Sequence, residues 1–134
     1  MARNPHPTRV HASLALIQRA GCYLICRRNT HDFLGGFWEF PGGKRQPGES
    51  WPACLRRELR EELGITVRSV RPFVTLRYRY RSRSVVCQVF RCAIAQGTPR
   101  PLAAQALRWV PARRLCRYRF PPANRSLLQR LCGS

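Results

Sequence analysis

A sandwich of helices on both faces of a mixed sheet, an α/β/α fold, is what this chain predicts, on three observations. Two pairs of β-rich segments lie at 10–27 and 65–95, an amphipathic helix stands between them, and a second amphipathic stretch ends the chain. At 134 residues the chain suits one domain with a two- or three-layer core and is too short for two. The expected organisation is therefore a flexible tail over residues 1–9 and a single domain over 10–134.

The elements follow in order. Val10 to Ile17 and Cys22 to Arg27 read as strands around a turn at Gln18 to Gly21. Asn29 to Gly36 is a polar, glycine-containing loop, followed by a short apolar strand at Phe37 to Phe40 and a turn at Pro41-Gly42-Gly43. A helix then begins behind Ser50 as cap, tolerates Pro52 in its first turn, repeats leucine at 55, 59 and 63, and stops at Gly64. Ile65 to Tyr80 and Val85 to Ala95 form a second hairpin joined near Arg81 to Ser84. Leu107 to Val110 adds a short strand, Pro111 to Cys116 a helical turn or two, and Ala123 to Cys132 a closing amphipathic helix. The alternation Arg77-Tyr78-Arg79-Tyr80-Arg81 fits a nucleic-acid strip, but period two favours tyrosines turned inward and arginines in water.

Composition narrows the function classes. The formal net charge is +19, carried almost wholly by arginine with Lys44 the only lysine, so phosphate-rich ligands are attracted and nonspecific nucleic-acid binding is open. Seven cysteines are an odd count without paired CxxC spacing, which implies neither a disulfide framework nor a zinc site; reduced thiols in a cytoplasmic protein are expected. The apolar run at Val10 to Ile17 is too short to span a membrane, so no membrane partner is expected.

Against that basic background, four of the six acidic residues fall within Gly43 to Ile65. Glu58, Glu61 and Glu62 stand at i, i+3 and i+4, which places all three on one side of the predicted helix beside the leucine stripe. There the like charges repel one another and lie towards the negative end of the helix dipole. A solvated, salt-bridged face is the plain reading of such a stretch, with Arg57 reaching Glu61 at i+4. The alternative is a binding site for a divalent cation.

The spacing decides between them. Gly43, five residues, Glu49, seven residues, Arg57-Glu58-Leu59, one residue, Glu61-Glu62, one residue and Gly64-Ile65 match every fixed position of the Nudix box. The chain thus resembles the Nudix hydrolases, metal-dependent enzymes that cleave nucleoside diphosphates linked to another group. Arg27-Arg28, Trp38 to Lys44 and Phe120-Pro121-Pro122-Ala123-Asn124 extend the likeness from about Leu14 to Leu131, with the family's MutT branch, oxidised-guanine nucleotide pyrophosphohydrolases, looking most similar.

The resemblance implies the Nudix α/β/α fold, Mg²⁺ (or Mn²⁺) as cofactor, and a nucleoside triphosphate as substrate, acted on by a monomer. It implies metal ligation by Gly42, Glu58, Glu61 and Glu62, with Glu58, Glu61 and Arg57 catalytic, Glu58 the base, and Glu49 and Gly43 in support. It places Arg28, Phe40, Arg83 and Asn124 at the nucleotide, Asn124 reading the base. An asparagine amide accepts from the N7–H of 8-oxoguanine while donating to O6, and guanine offers an acceptor there instead. A helix cap is the plain alternative for Asn124. A gapless register puts Ala103 where relatives carry a further glutamate, and Pro99 to Leu107 holds no acid. Two rivals remain: a CTP or modified-pyrimidine pyrophosphohydrolase, whose relatives share patterns like Gln105-Ala106-Leu107 and Trp109, and a lesion-binding DNA module, against which the retained carboxylates argue.

Overall fold

The computed structural model describes residues 8–32 and 34–133. β1 (Thr8–Arg19) and β2 (Cys22–Arg27) form the first hairpin around Ala20 and Gly21, both at positive φ. Most of the expected tail lies outside the described residues, while Thr8 and Arg9 pair with Arg83 and Ser84 and so belong to the sheet. β3 (Trp38–Glu39) is shorter than expected, and the Pro-Gly-Gly segment leads directly into a further strand, β4 (Gly42–Lys44). β5 (Thr66–Tyr80) and β6 (Arg83–Gln96) form the long second hairpin, and β7 (Ala106–Pro111) completes the sheet.

The main path of the sheet runs β3-β2-β1-β6-β5, with β4 on β1 and β7 on β2. β1 and β6 are parallel and the other pairs antiparallel, so the sheet is mixed. β1 pairs with β2 only next to the hairpin turn, at Gln18 with Tyr23 and Arg19 with Cys22. Further along, β1 takes β4 as neighbour, with Leu14 opposite Gly42, while β2 takes β7. The sheet therefore forks, and the fork carries Gly42 and Gly43. β5 is an edge strand, which accommodates both Pro72 and the register shifts between Arg68 and Val74.

Alternation along β1 explains the layers. Ala15 and Ile17 face α1 (Trp51–Leu63), where Leu55, Leu59 and Leu63 are fully buried with Leu24, Ile65 and Phe90. Ala12 and Leu16 face the other way, onto Leu115 and Leu127. Each such leucine contributes about 1.5–3 kcal/mol relative to exposure. The Ser50 hydroxyl accepts from Ala53 N–H at 3.2 Å, and Gly64, at φ 71°, stops α1 in the left-handed conformation.

Three expectations need correction. The last helix, α2 (Arg125–Cys132), starts later than Ala123, because Pro122–Asn124 forms a separate 3₁₀ turn behind two consecutive prolines. Cys116 and Cys132 are joined in a disulfide rather than free, since the 3₁₀ turn Ala112–Arg117 and α2 bring their Cα atoms within 6.6 Å. Tyr78 and Tyr80 share one face, their ring centroids 4.8 Å apart, but only Tyr80 is half-buried; Tyr78 is 40% exposed, at the β5 edge. Among the described residues, no helix is long and apolar enough to cross a membrane.

Candidate active site

A cavity of about 270 Å³ opens beside the fork. Glu39, Gly42, Gly43 and Glu62 line it together with Arg27 and Arg28, as do Tyr80, Arg83, Ala123 and Asn124 from the second hairpin and the C-terminal turn. Gly42 has φ 150°, and a Cβ there would collide with the Ser13 backbone. At Gly43 a Cβ would occupy the space of the Glu58 carboxylate. Glycine at 43 thus lets a helix carboxylate approach the strand backbone.

Arg57 is the hub of the box. Its Nε donates to Glu49 at 2.7 Å and its Nη2 to the other Glu49 oxygen at 3.0 Å, a bidentate pair. Nη1 donates to Glu58 at 2.7 Å and to Glu61 at 3.1 Å, and Nη2 also reaches the Lys44 carbonyl at 2.9 Å. The Arg57 hydrogen bonds, followed by the Gln46 N–H, hold the Glu49 carboxyl down at about 2. Arg57 is pushed up by the same Glu49 contact and by Glu58. It therefore touches Glu61, the partner expected at i+4, and also Glu49 and Glu58.

The three helix carboxylates do not converge as expected. Among the described residues, no group of three His, Cys, Asp or Glu side chains is arranged to hold a metal ion. Glu62 enters the cavity wall, Glu58 rests against Gly43 and Arg57, and Glu61 is 59% exposed. The shared helix side is real, but Arg57 draws Glu58 and Glu61 towards itself.

Glu62 carries the clearest electrostatic signature. Burial pushes its carboxyl up to about 8, helped by the charges of Glu39 and Glu58 and opposed by Arg28 and the Gly42 backbone. Burial also raises Glu39, against the Arg28 guanidinium, which donates to both its oxygens at 2.8 and 3.1 Å. Arg27 donates through Nε to the Gly36 carbonyl at 3.1 Å, and both members of the Arg27-Arg28 pair line the cavity.

Asn124 is 7% exposed, makes no side-chain cap to α2, and its Oδ1 has no hydrogen-bond partner among the described residues. The capping alternative is thereby removed. Arg83 lines the cavity, whereas Phe40 is fully buried behind the wall, 5.2 Å from the Phe120 ring. Sequence reasoning missed Tyr80, whose hydroxyl accepts from the Ala123 N–H at 3.1 Å and so holds the turn carrying Asn124. Its phase with Leu76 along β5 was the available signal. Ala103 and Ala104 line the cavity where no acid stands.

The NUDIX domain model matches residues 12–130. This chain belongs to the Nudix hydrolase family. It is 35% identical to the CTP pyrophosphohydrolase of Escherichia coli over 116 residues, covering 86% of this chain and 85% of the relative. It is 33% identical to the 8-oxo-dGTP diphosphatase of Haemophilus influenzae, with coverages of 81% and 79%. A solved MutT structure, from work on Aliivibrio salmonicida and Vibrio cholerae, superimposes with a TM-score of 0.77 at 30% identity, over 93% of this chain and 97% of that one.

Nudix hydrolases generally use divalent metal ions, and the residues of this one fit such an ion. The groups that could hold it offer oxygen only, the Glu58 and Glu62 carboxylates and the Gly42 carbonyl, which suits a hard cation. Half-buried Glu62, raised by desolvation and by two neighbouring carboxylates, is a group whose charged form a cation would stabilise. Magnesium is held by one or two carboxylates plus substrate phosphates in many phosphoryl-transfer sites, so a closed protein cage is not required.

Proposed function

We propose that this Nudix hydrolase is a Mg²⁺-dependent nucleoside triphosphate pyrophosphohydrolase that prefers 8-oxo-dGTP, releasing 8-oxo-dGMP and pyrophosphate. The observation carrying the base preference is Asn124, a buried amide on the cavity wall with an unpartnered Oδ1. A buried acceptor without a partner costs about 1–3 kcal/mol, and the N7–H of 8-oxoguanine would relieve that cost. Guanine presents a lone pair to the same oxygen. Mispairing of a buried polar group supports discrimination of about 10⁴-fold.

Gly42, Glu58 and Glu62, with the exposed Glu61, would hold Mg²⁺, which when bound neutralises phosphoryl charge and acidifies water. Glu58 accepts the proton of the water that attacks the β phosphorus; the new P–O bond forms as the bridge to the α phosphate breaks, and the nucleoside monophosphate leaves. Arg57 fixes Glu58 through the 2.7 Å bond and Glu49 fixes Arg57. Arg28, paired with Glu39, presents charge to the phosphates from the cavity wall. A second reading, CTP or a modified pyrimidine as substrate, is favoured by the 35% identity with the CTP pyrophosphohydrolase. Product analysis with 8-oxo-dGTP, dGTP, CTP and 5-methyl-dCTP separates the two: the purine reading expects the highest kcat/KM on 8-oxo-dGTP, and equal or higher efficiency on the pyrimidines overturns it.

A further inference from the structure

The acid of this chain stops at Glu62. Between Ile65 and Ser134 there are fifteen arginines and no Asp or Glu. That half supplies β5, β6, β7 and α2, and it contains a second cavity, of about 460 Å³, between the edge strand β5 and α2. Arg77, Tyr78, Arg125, Gln129 and Arg130 line it, and Ala123 lines both this groove and the nucleotide cavity. None of the three arginines takes part in the ion pairs found among the described residues, which all belong to Arg28 and Arg57. Arginines on an edge strand alone are accounted for by protection against strand pairing. That does not account for Tyr78, which leaves its ring 40% exposed while Leu76, two residues earlier, is 7% exposed.

We propose that the groove between β5 and α2 binds a single-stranded polynucleotide, with Arg77, Arg125 and Arg130 on successive phosphates and Tyr78 as the stacking platform. Three cationic side chains without a lining carboxylate suit a polyanion, and an exposed aromatic ring among them suits an unpaired base. Arg130 also stacks on Phe73, 4.6 Å from the ring centroid, which holds its guanidinium beside β5. A duplex has no unstacked base to offer Tyr78. This inference is independent of the nucleotide that the other cavity hydrolyses.

Fluorescence anisotropy of the full chain with a labelled oligothymidylate of about twelve nucleotides, within the usual site size, tests it. Removing three phosphate contacts as Arg77→Gln/Arg125→Gln/Arg130→Gln lowers affinity about tenfold or more at low salt. It also flattens the slope of log K against log salt by about 2, at roughly 0.7 per contact. Tyr78→Ala costs about fivefold or more and leaves the slope unchanged. The same loss of charge at Arg60, Arg100 and Arg113, none of which borders the groove, changes affinity less than threefold by this expectation. Should loss of the Arg130 stack unfold the triple variant, Arg125→Gln and Tyr78→Ala alone carry the test. The proposal is overturned if the control triple costs as much as the groove variants, if a duplex of equal length binds as tightly, or if the oligothymidylate does not bind at low salt.

Discussion

Asn124→Ala separates a ligand-reading role from a structural one, because the two predict opposite changes in stability. Oδ1 is buried without a partner among the described residues, and the Asn124 side chain does not cap α2. Removing it relieves a desolvation cost of about 1–3 kcal/mol while losing the packing of a few side-chain atoms. The nucleotide-free Tm is therefore expected to stay level or rise by up to about 5 °C, given the entropy of unfolding for a chain of this size. Activity moves the other way. Two neutral hydrogen bonds to the base together contribute about 1–3 kcal/mol, so kcat/KM for 8-oxo-dGTP falls about 10- to 100-fold, while that for dGTP rises because its N7 lone pair no longer faces Oδ1. Differential scanning calorimetry and pyrophosphate release on both nucleotides are the assays. A lowered Tm with equal losses on the two nucleotides refutes the reasoning, since that is the behaviour of a scaffold residue.

The other residues of the site yield shorter tests. Glu58→Gln keeps an acceptor for Arg57 Nη1 but removes the proposed base, so Mg²⁺-dependent pyrophosphate release falls about 10²- to 10⁴-fold with little change in Tm; unchanged release refutes the role of Glu58. Tyr80→Phe deprives the Ala123 N–H of its acceptor and loosens the turn carrying Asn124, so KM rises with kcat nearly constant and stability falls by about 0.5–1.5 kcal/mol. The Glu49 carboxyl sits at about 2, below its ordinary value of 4.5, so its stabilising effect is complete above the ordinary value and disappears as pH falls through about 2. Urea midpoints of Glu49→Gln and the parent protein should accordingly differ at neutral pH and converge in strong acid. A constant difference across that range removes the ionised Arg57 pair as its cause.

Local patterns were legible and long-range ones were not. The leucine spacing of α1 and its Ser50 and Gly64 ends are set within one stretch of chain, and the observed helix keeps them. The β1–β4 pairing that creates the fork joins residues some thirty positions apart through three backbone partners, and no periodicity announces it. Side-chain direction around Arg57 was hidden for a related reason. Helix geometry puts Glu58, Glu61 and Glu62 on one side, but the choice of rotamer depends on a guanidinium anchored by Glu49 from the preceding loop. For Asn124 the sequence left cap and base reader open. Two prolines that delay α2 to Arg125 explain why this asparagine lies in a 3₁₀ turn and makes no cap.

The placement of charge bears on how substrate arrives. Glu39 and, once ionised, Glu62 in the cavity wall would repel a polyphosphate, yet the chain as a whole carries +19. The acid-free half offers Arg83 on the cavity lining and fourteen further arginines away from it, so at distance the field is attractive and only the final approach meets carboxylates. A cation held by those carboxylates would reverse the local sign, which separates the roles of the two charges: arginines govern encounter, and the carboxylate site governs chemistry. Screening acts on the first and much less on the second, because the Debye length is about 10 Å at 0.1 M salt and partly buried pairs are shielded from it. Raising ionic strength at fixed Mg²⁺ should thus lower kcat/KM severalfold with kcat nearly unchanged, provided encounter limits kcat/KM. Under that condition, parallel losses in kcat and kcat/KM in steady-state titrations would place the salt-sensitive charges at the reacting phosphates and defeat the separation.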